Sequence, residues 1–81
     1  MQRDAVTAEV KAIFHKVAPD IDFDALDLSK PLRDQVEMDS LDFFNVLVAI
    51  HKKLGVNVPD SVLLELNHLN DLIDYIVRNA A

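Results

Sequence analysis

Cysteine and tryptophan are absent from this chain, and glycine occurs once, at Gly55. Without cysteine no disulfide can reinforce the fold and no zinc–thiolate site can form; a reducing compartment suits such a chain. A single glycine excludes a glycine-rich phosphate loop, which needs several residues lacking a Cβ. Bases are scarce, eight against fourteen acids, for a formal charge of −6. A surface of that sign repels nucleic acid and anionic membrane. No apolar run approaches the roughly 20 residues needed to cross a bilayer, and no basic-then-apolar leader opens the chain. The expectation is a soluble cytoplasmic protein with no nucleic-acid partner and no membrane insertion.

What is present is a globular composition, 51% hydrophobic and 27% charged. Residues 1–81 are expected to form a single domain with one small core, so helix packing must supply nearly all its stability. The charge excess is local. Asp20, Asp22, Asp24, Asp27, Asp34, Glu37, Asp39 and Asp42 are accompanied only by Lys30 and Arg33, which leaves six acids and six bases elsewhere. That field would steer a partner with a basic surface; a solvated acidic loop without a partner is the plainer alternative.

Val6, Val10, Ile13, Phe14 and Val17 recur at helical spacing, with Asp4 as the expected cap and Pro19 as the stop. The connection over 20–38 is too polar and irregular for a regular element, and Phe23, Leu26, Leu28, Leu32 and Val36 are spaced to pin it to a core. A second helix is expected from Ser40 to Leu54, capped by Asp39 with Asp42 at its third position, and closed by Gly55. Pro59 and Asp60 open a short helix through about Leu66; Asn67 is the expected cap of the last, with Leu69, Leu72, Ile73, Ile76 and Val77 on one face. The fold class is therefore all-α: a small four-helix bundle, three longer helices and one short, with a long acidic loop between the first two.

At about 100° per residue, Phe43, Val46, Leu47, Ile50 and Leu54 form a core face of the second helix. Leu41, Phe44 and Val48 fall on the other side of Ser40. The apolar arc is wider than one-sided burial requires, and those three residues are expected to form an exposed docking patch. His51 lies between core and patch, where its protonation could tune contact with a partner. Asp20, Asp22 and Asp24 imitate the opening of a calcium loop, but Ala25 and Pro31 stand where glycine and glutamate are needed. His15, His51 and His68 lack the paired ligands of a zinc site. Ser40 has no neighbouring base to make it a nucleophile, so a hydrolase is the weakest reading. A serine at a helix start does suit an attached phosphate, which the positive end of the helix dipole favours. Capping chemistry alone would also place a serine there.

Glu-Met-Asp-Ser-Leu-Asp (37–42), a helix ending in Leu54-Gly55, Val-Pro-Asp (58–60), and Leu-Asn-His-Leu-Asn-Asp-Leu-Ile-Asp-Tyr-Ile (66–76) together resemble an acyl carrier protein over essentially the whole chain. The resemblance implies a non-enzymatic carrier. In that family the serine of Asp-Ser-Leu accepts 4'-phosphopantetheine from coenzyme A, through a separate phosphopantetheinyl transferase. Carried over, Ser40 is the attachment site, Asp39 stands near the Mg2+ used in the transfer, and Leu41 adjoins the arm. The thiol of that arm holds an acyl group as a thioester. Partners are then the transferase and the acyl-loading and acyl-processing enzymes, with basic and apolar docking surfaces meeting Leu41, Asp42, Phe44, Asn45, Val48 and His51 of a monomer. No resident metal is implied.

Three features depart from the family pattern. Glu37 stands where glycine is frequent, and Asn45, His51, Lys52 and Lys53 occupy helix positions that are typically glutamate-rich in carriers of fatty acid synthesis. Phe43 and Phe44 are bulky where smaller residues are common, and are expected to reduce any acyl cavity. These departures suggest a specialised fatty acid, lipid or polyketide-type pathway. An aminoacyl or peptidyl carrier of the D-alanyl type, or an unmodified helical interaction module, are the alternatives.

Overall fold

The computed structural model describes residues 2–37, 39–59 and 68–80. Among them are three α-helices and no strand: α1 (Arg3–Val17), α2 (Ser40–Leu54) and α3 (Leu69–Asn79). The short helix expected from Pro59 and Asp60 through Leu66 falls almost wholly outside the described residues.

The start of α1 differs from the expectation. Gln2, not Asp4, holds the N-cap position, in extended conformation and without a side-chain cap. The Val6 N–H donates to the Gln2 carbonyl at 3.0 Å, so the first turn already includes Asp4. There the carboxylate acts through its charge at the positive helix end instead of by capping. The helix stops at Val17, one residue before the Ala18–Pro19 pair, because a residue preceding proline is disfavoured in helical conformation.

The stretch between α1 and α2 is not a plain loop. It contains two 3-10 turns, Phe23–Ala25 and Leu32–Asp34. Phe23 and Leu32 are buried, while Leu26, Leu28 and Val36 pack half-buried against the core, so the five apolar positions do pin it. The Phe23 ring lies 5.7 Å from that of Phe14 on α1, tilted by 54°, a favourable aromatic geometry. Between these pins the side chain of Gln35 knits the backbone. Its Oε1 accepts from the Asp27 N–H at 2.7 Å, and its Nε2 donates to the Asp27 carbonyl at 2.8 Å and the Lys30 carbonyl at 3.2 Å.

Gly55 ends α2 with φ 70°, the left-handed conformation that glycine adopts without steric cost, and its N–H donates to the His51 carbonyl. The last helix begins one residue later than expected: His68 holds the N-cap position, and Asn67 lies outside the described residues. The Asn70 N–H donates to the Leu28 carbonyl at 3.0 Å, and Pro31 forms an isolated antiparallel bridge with His68. The first turn of α3 is thus tied to the middle of the acidic connection.

α1 packs against both α2 and α3. The core between them includes Val6, Val10, Ile13 and Phe14 of α1, Val46, Leu47 and Ile50 of α2, and Leu69, Leu72, Ile73 and Ile76 of α3. No polar residue is buried among the described residues. Each of these side chains contributes about 1.5–3 kcal/mol relative to exposure, so the helices are held chiefly by apolar burial. Polar ties lie at the edges. Arg3 spans Asp74 and Asn70 of α3, and Lys53 lies 2.9 Å from Glu9, joining the end of α2 to α1.

Candidate functional site

Ser40 is the first helical residue of α2. Asp39 holds the N-cap position with φ −83° and ψ 174°, and its Oδ1 accepts the Asp42 N–H at 2.8 Å. Its carbonyl accepts the Phe43 N–H at 3.2 Å. Residue and conformation agree because a short carboxylate on extended backbone reaches the third N–H of the turn. Oδ2 of Asp39 has no hydrogen bond among the described residues and remains able to accept another ligand.

Beside position 40 the helix exposes apolar surface. Leu41 is 65% and Phe44 54% exposed, the two large hydrophobic side chains most open to solvent among the described residues. Asn45 and His51 are exposed, while Asp42 and Val48 are half-buried. The outer face of α2 therefore brings together Leu41, Phe44, Asn45 and His51, with Val48 contributing less than a fully open patch would. Phe44 cannot narrow an interior cavity as expected, because it points outward; Phe43 packs half-buried against the core.

The acids ahead of the helix are partly engaged. Lys11 bonds both carboxylate oxygens of Asp24 at 2.8 Å, and Asp22 Oδ1 accepts the Asp24 N–H at 3.2 Å. Two members of the calcium-loop imitation are thus committed elsewhere, and no cluster suited to a metal ion occurs among the described residues. Asp27 is held below its ordinary carboxylate range, first by the Ser29 hydroxyl at 2.6 Å and then by the Ser29 N–H at 2.9 Å. Lys30, at 3.9 Å, adds a weaker attraction. Gln35, which organises this surface, was not singled out by pattern. Its one signal is that it is the only side-chain amide between residues 20 and 38.

A helix start with an apolar shelf and an acidic approach suits a protein that holds a group for others to act on. Comparison with known proteins gives that class a family. A family model described as "Phosphopantetheine attachment site" matches residues 5–76. The chain is 27% identical over 81 residues to the "Acyl carrier protein" of Tropheryma whipplei, covering 100% of this chain and 98% of that one. It is 33% identical over 73 residues to the "Acyl carrier protein homolog" of Mycoplasma pneumoniae, covering 90% and 86%. With the "Acyl carrier protein, mitochondrial" of Saccharomyces cerevisiae it shares 29% identity over 82 residues, 98% of this chain and 66% of the other. The chain belongs to the acyl carrier protein family.

Its cofactor is accordingly 4'-phosphopantetheine, held covalently, and its role is that of a carrier and not of an enzyme. The first turn of α2 has features that suit such a group: fifteen helical residues put a positive pole at this end, and the capping carboxylate is already bonded to a backbone N–H. The arm supplies a thiol that holds an acyl group as a thioester. Carriers of this kind meet a phosphopantetheinyl transferase and acyl-processing enzymes. No helix among the described residues is long and apolar enough to cross a membrane.

Proposed function

We propose that Ser40 bears the 4'-phosphopantetheine arm and that this carrier serves a specialised fatty acid, lipid or polyketide-type pathway. The observation that carries the first part is the coincidence at one helix end. Ser40 opens α2 directly behind the Asp39 cap, with outward-facing Leu41 next to it and Phe44 one turn on. Asp39 does two jobs in this reading: Oδ1 holds the first turn, and Oδ2 meets the Mg2+ brought by the transferase. The Ser40 hydroxyl attacks phosphorus within the transferase, so this chain needs no base of its own.

Specialisation is supported by the outer face of α2. Where carriers of fatty acid synthesis are glutamate-rich, this helix presents Asn45, His51 and Lys52, and Lys53 is tied to Glu9. The acidic surface lies instead in the connection before it. Leu41, Asp42, Phe44, Asn45, Val48 and His51 are the docking residues in this reading, with apolar contact centred on Leu41 and Phe44.

Incubation with coenzyme A and a broad-specificity phosphopantetheinyl transferase tests the attachment. Mass spectrometry is expected to show a gain of one arm on the wild-type chain and none on Ser40→Ala. A gain that survives Ser40→Ala moves the site elsewhere, and no gain on either protein leaves an unmodified helical module.

A further inference from the structure

The outward stripe of α2 changes character along its length. At about 100° per residue, Leu41, Phe44, Asn45, Val48, His51 and Lys52 share an arc of about 120°. The stripe begins with exposed Leu41 and Phe44 and ends with exposed His51 and Lys52. Four other cations of the chain are engaged in ion pairs. Lys53 pairs with Glu9, Lys11 with Asp24, Lys30 with Asp27 and Arg3 with Asp74. Lys52 makes no ion pair among the described residues. At the opposite end of the stripe, Asp39 caps the helix and Glu37 lies two residues before it in the chain, both exposed.

The two ends do not cancel each other. Twelve residues at a rise of 1.5 Å separate positions 40 and 52 by about 18 Å. That exceeds the Debye length of about 8 Å at physiological ionic strength, so a partner meets two fields of opposite sign. A docking surface that is basic along its whole length would suit the Ser40 end and set like charge against Lys52, which costs affinity.

We infer that the acyl-processing enzyme served by this carrier docks along the stripe with a surface of two signs. Basic groups and an apolar pocket meet the Ser40 end, and a carboxylate meets Lys52. Lys52 is then a specificity-determining residue whose charge admits one class of enzyme and repels another. This rests on the carrier reading above, and names the partner chemistry that the reading leaves open.

The test uses a ketoacyl synthase whose carrier-docking surface is basic throughout, and a variant of it in which the basic residue facing the far end of the docked helix is replaced by glutamate. Titration calorimetry with the unloaded carrier gives Kd for each, so the result does not depend on arm attachment. The wild-type carrier is expected to bind the glutamate variant about threefold to tenfold more tightly than the parent, a span suited to a rim charge pair. Lys52→Glu reverses that preference and Lys52→Gln removes it. Lys16→Glu makes the same charge change at an exposed position of α1 and leaves the preference intact. A preference unaffected by Lys52→Glu, tighter binding of wild type to the wholly basic parent, or no binding to either enzyme overturns the inference. Failure of arm attachment strikes the carrier reading alone, because this titration never uses the arm.

Discussion

α3 and the acidic connection are held in place by different forces. α3 is eleven residues of regular helix with Leu69, Leu72, Ile73 and Ile76 buried, and its position follows from the area it removes from water. The connection ahead of α2 buries Phe23 and Leu32, leans three further apolar side chains on the core, and relies on Gln35 and short capping bonds for its path. Burial is cooperative across a packed core, whereas hydrogen bonds at a surface fail one at a time. The helix therefore stands or falls with the whole protein, while the stretch that Gln35 holds around Asp27 opens at lower cost.

The largest effect that could break this contrast is a cavity in the helix. Ile73→Ala is expected to destabilise the protein by about 2–5 kcal/mol, read as a lower denaturant midpoint with all regions unfolding together. Gln35→Ala comes next. It leaves the Asp27 N–H to water and should cost about 1 kcal/mol, with faster amide exchange concentrated around Asp27 and Ser29 and little change at α3. Should Gln35→Ala melt the whole protein as steeply as Ile73→Ala does, the two regions are one cooperative unit and the contrast is void.

The smallest effect is on acid. Asp27 sits below its ordinary value near 3.8 because Ser29 and Lys30 favour its charged form. A carboxyl with a depressed folded-state pKa contributes stability above its unfolded value, and that contribution fades as pH falls through the folded value. Protection of the Ser29 amide is therefore expected to persist at pH 4 and to decline below it. Ser29→Ala should move the Asp27 titration, followed by carboxyl-carbon NMR, back up toward 3.8. A titration unmoved by that change would show that the Ser29 hydroxyl bond is not what lowers it.

Both ends of α2 were legible in the sequence because each carries its own chemistry. Asp39 and Asp42 mark the start and Gly55 marks the stop, and the structure uses all three as expected. α1 starts two residues before, and α3 one residue after, where a capping side chain suggested, at Arg3 after Gln2 and at Leu69 after His68. Neither of those two N-caps makes a side-chain cap bond, so there was no local signal to read. The outward position of Leu41 and Phe44 followed from helical spacing. The half-burial of Val48 did not. The knitting of the connection by Gln35 was illegible because its partners lie four to eight residues away, with no periodicity to mark them.

The bond from the Asn70 N–H to the Leu28 carbonyl, with the bridge between Pro31 and His68, couples two parts of the chain mechanically. Whatever shifts the beginning of α3 drags the negatively charged rim along with it.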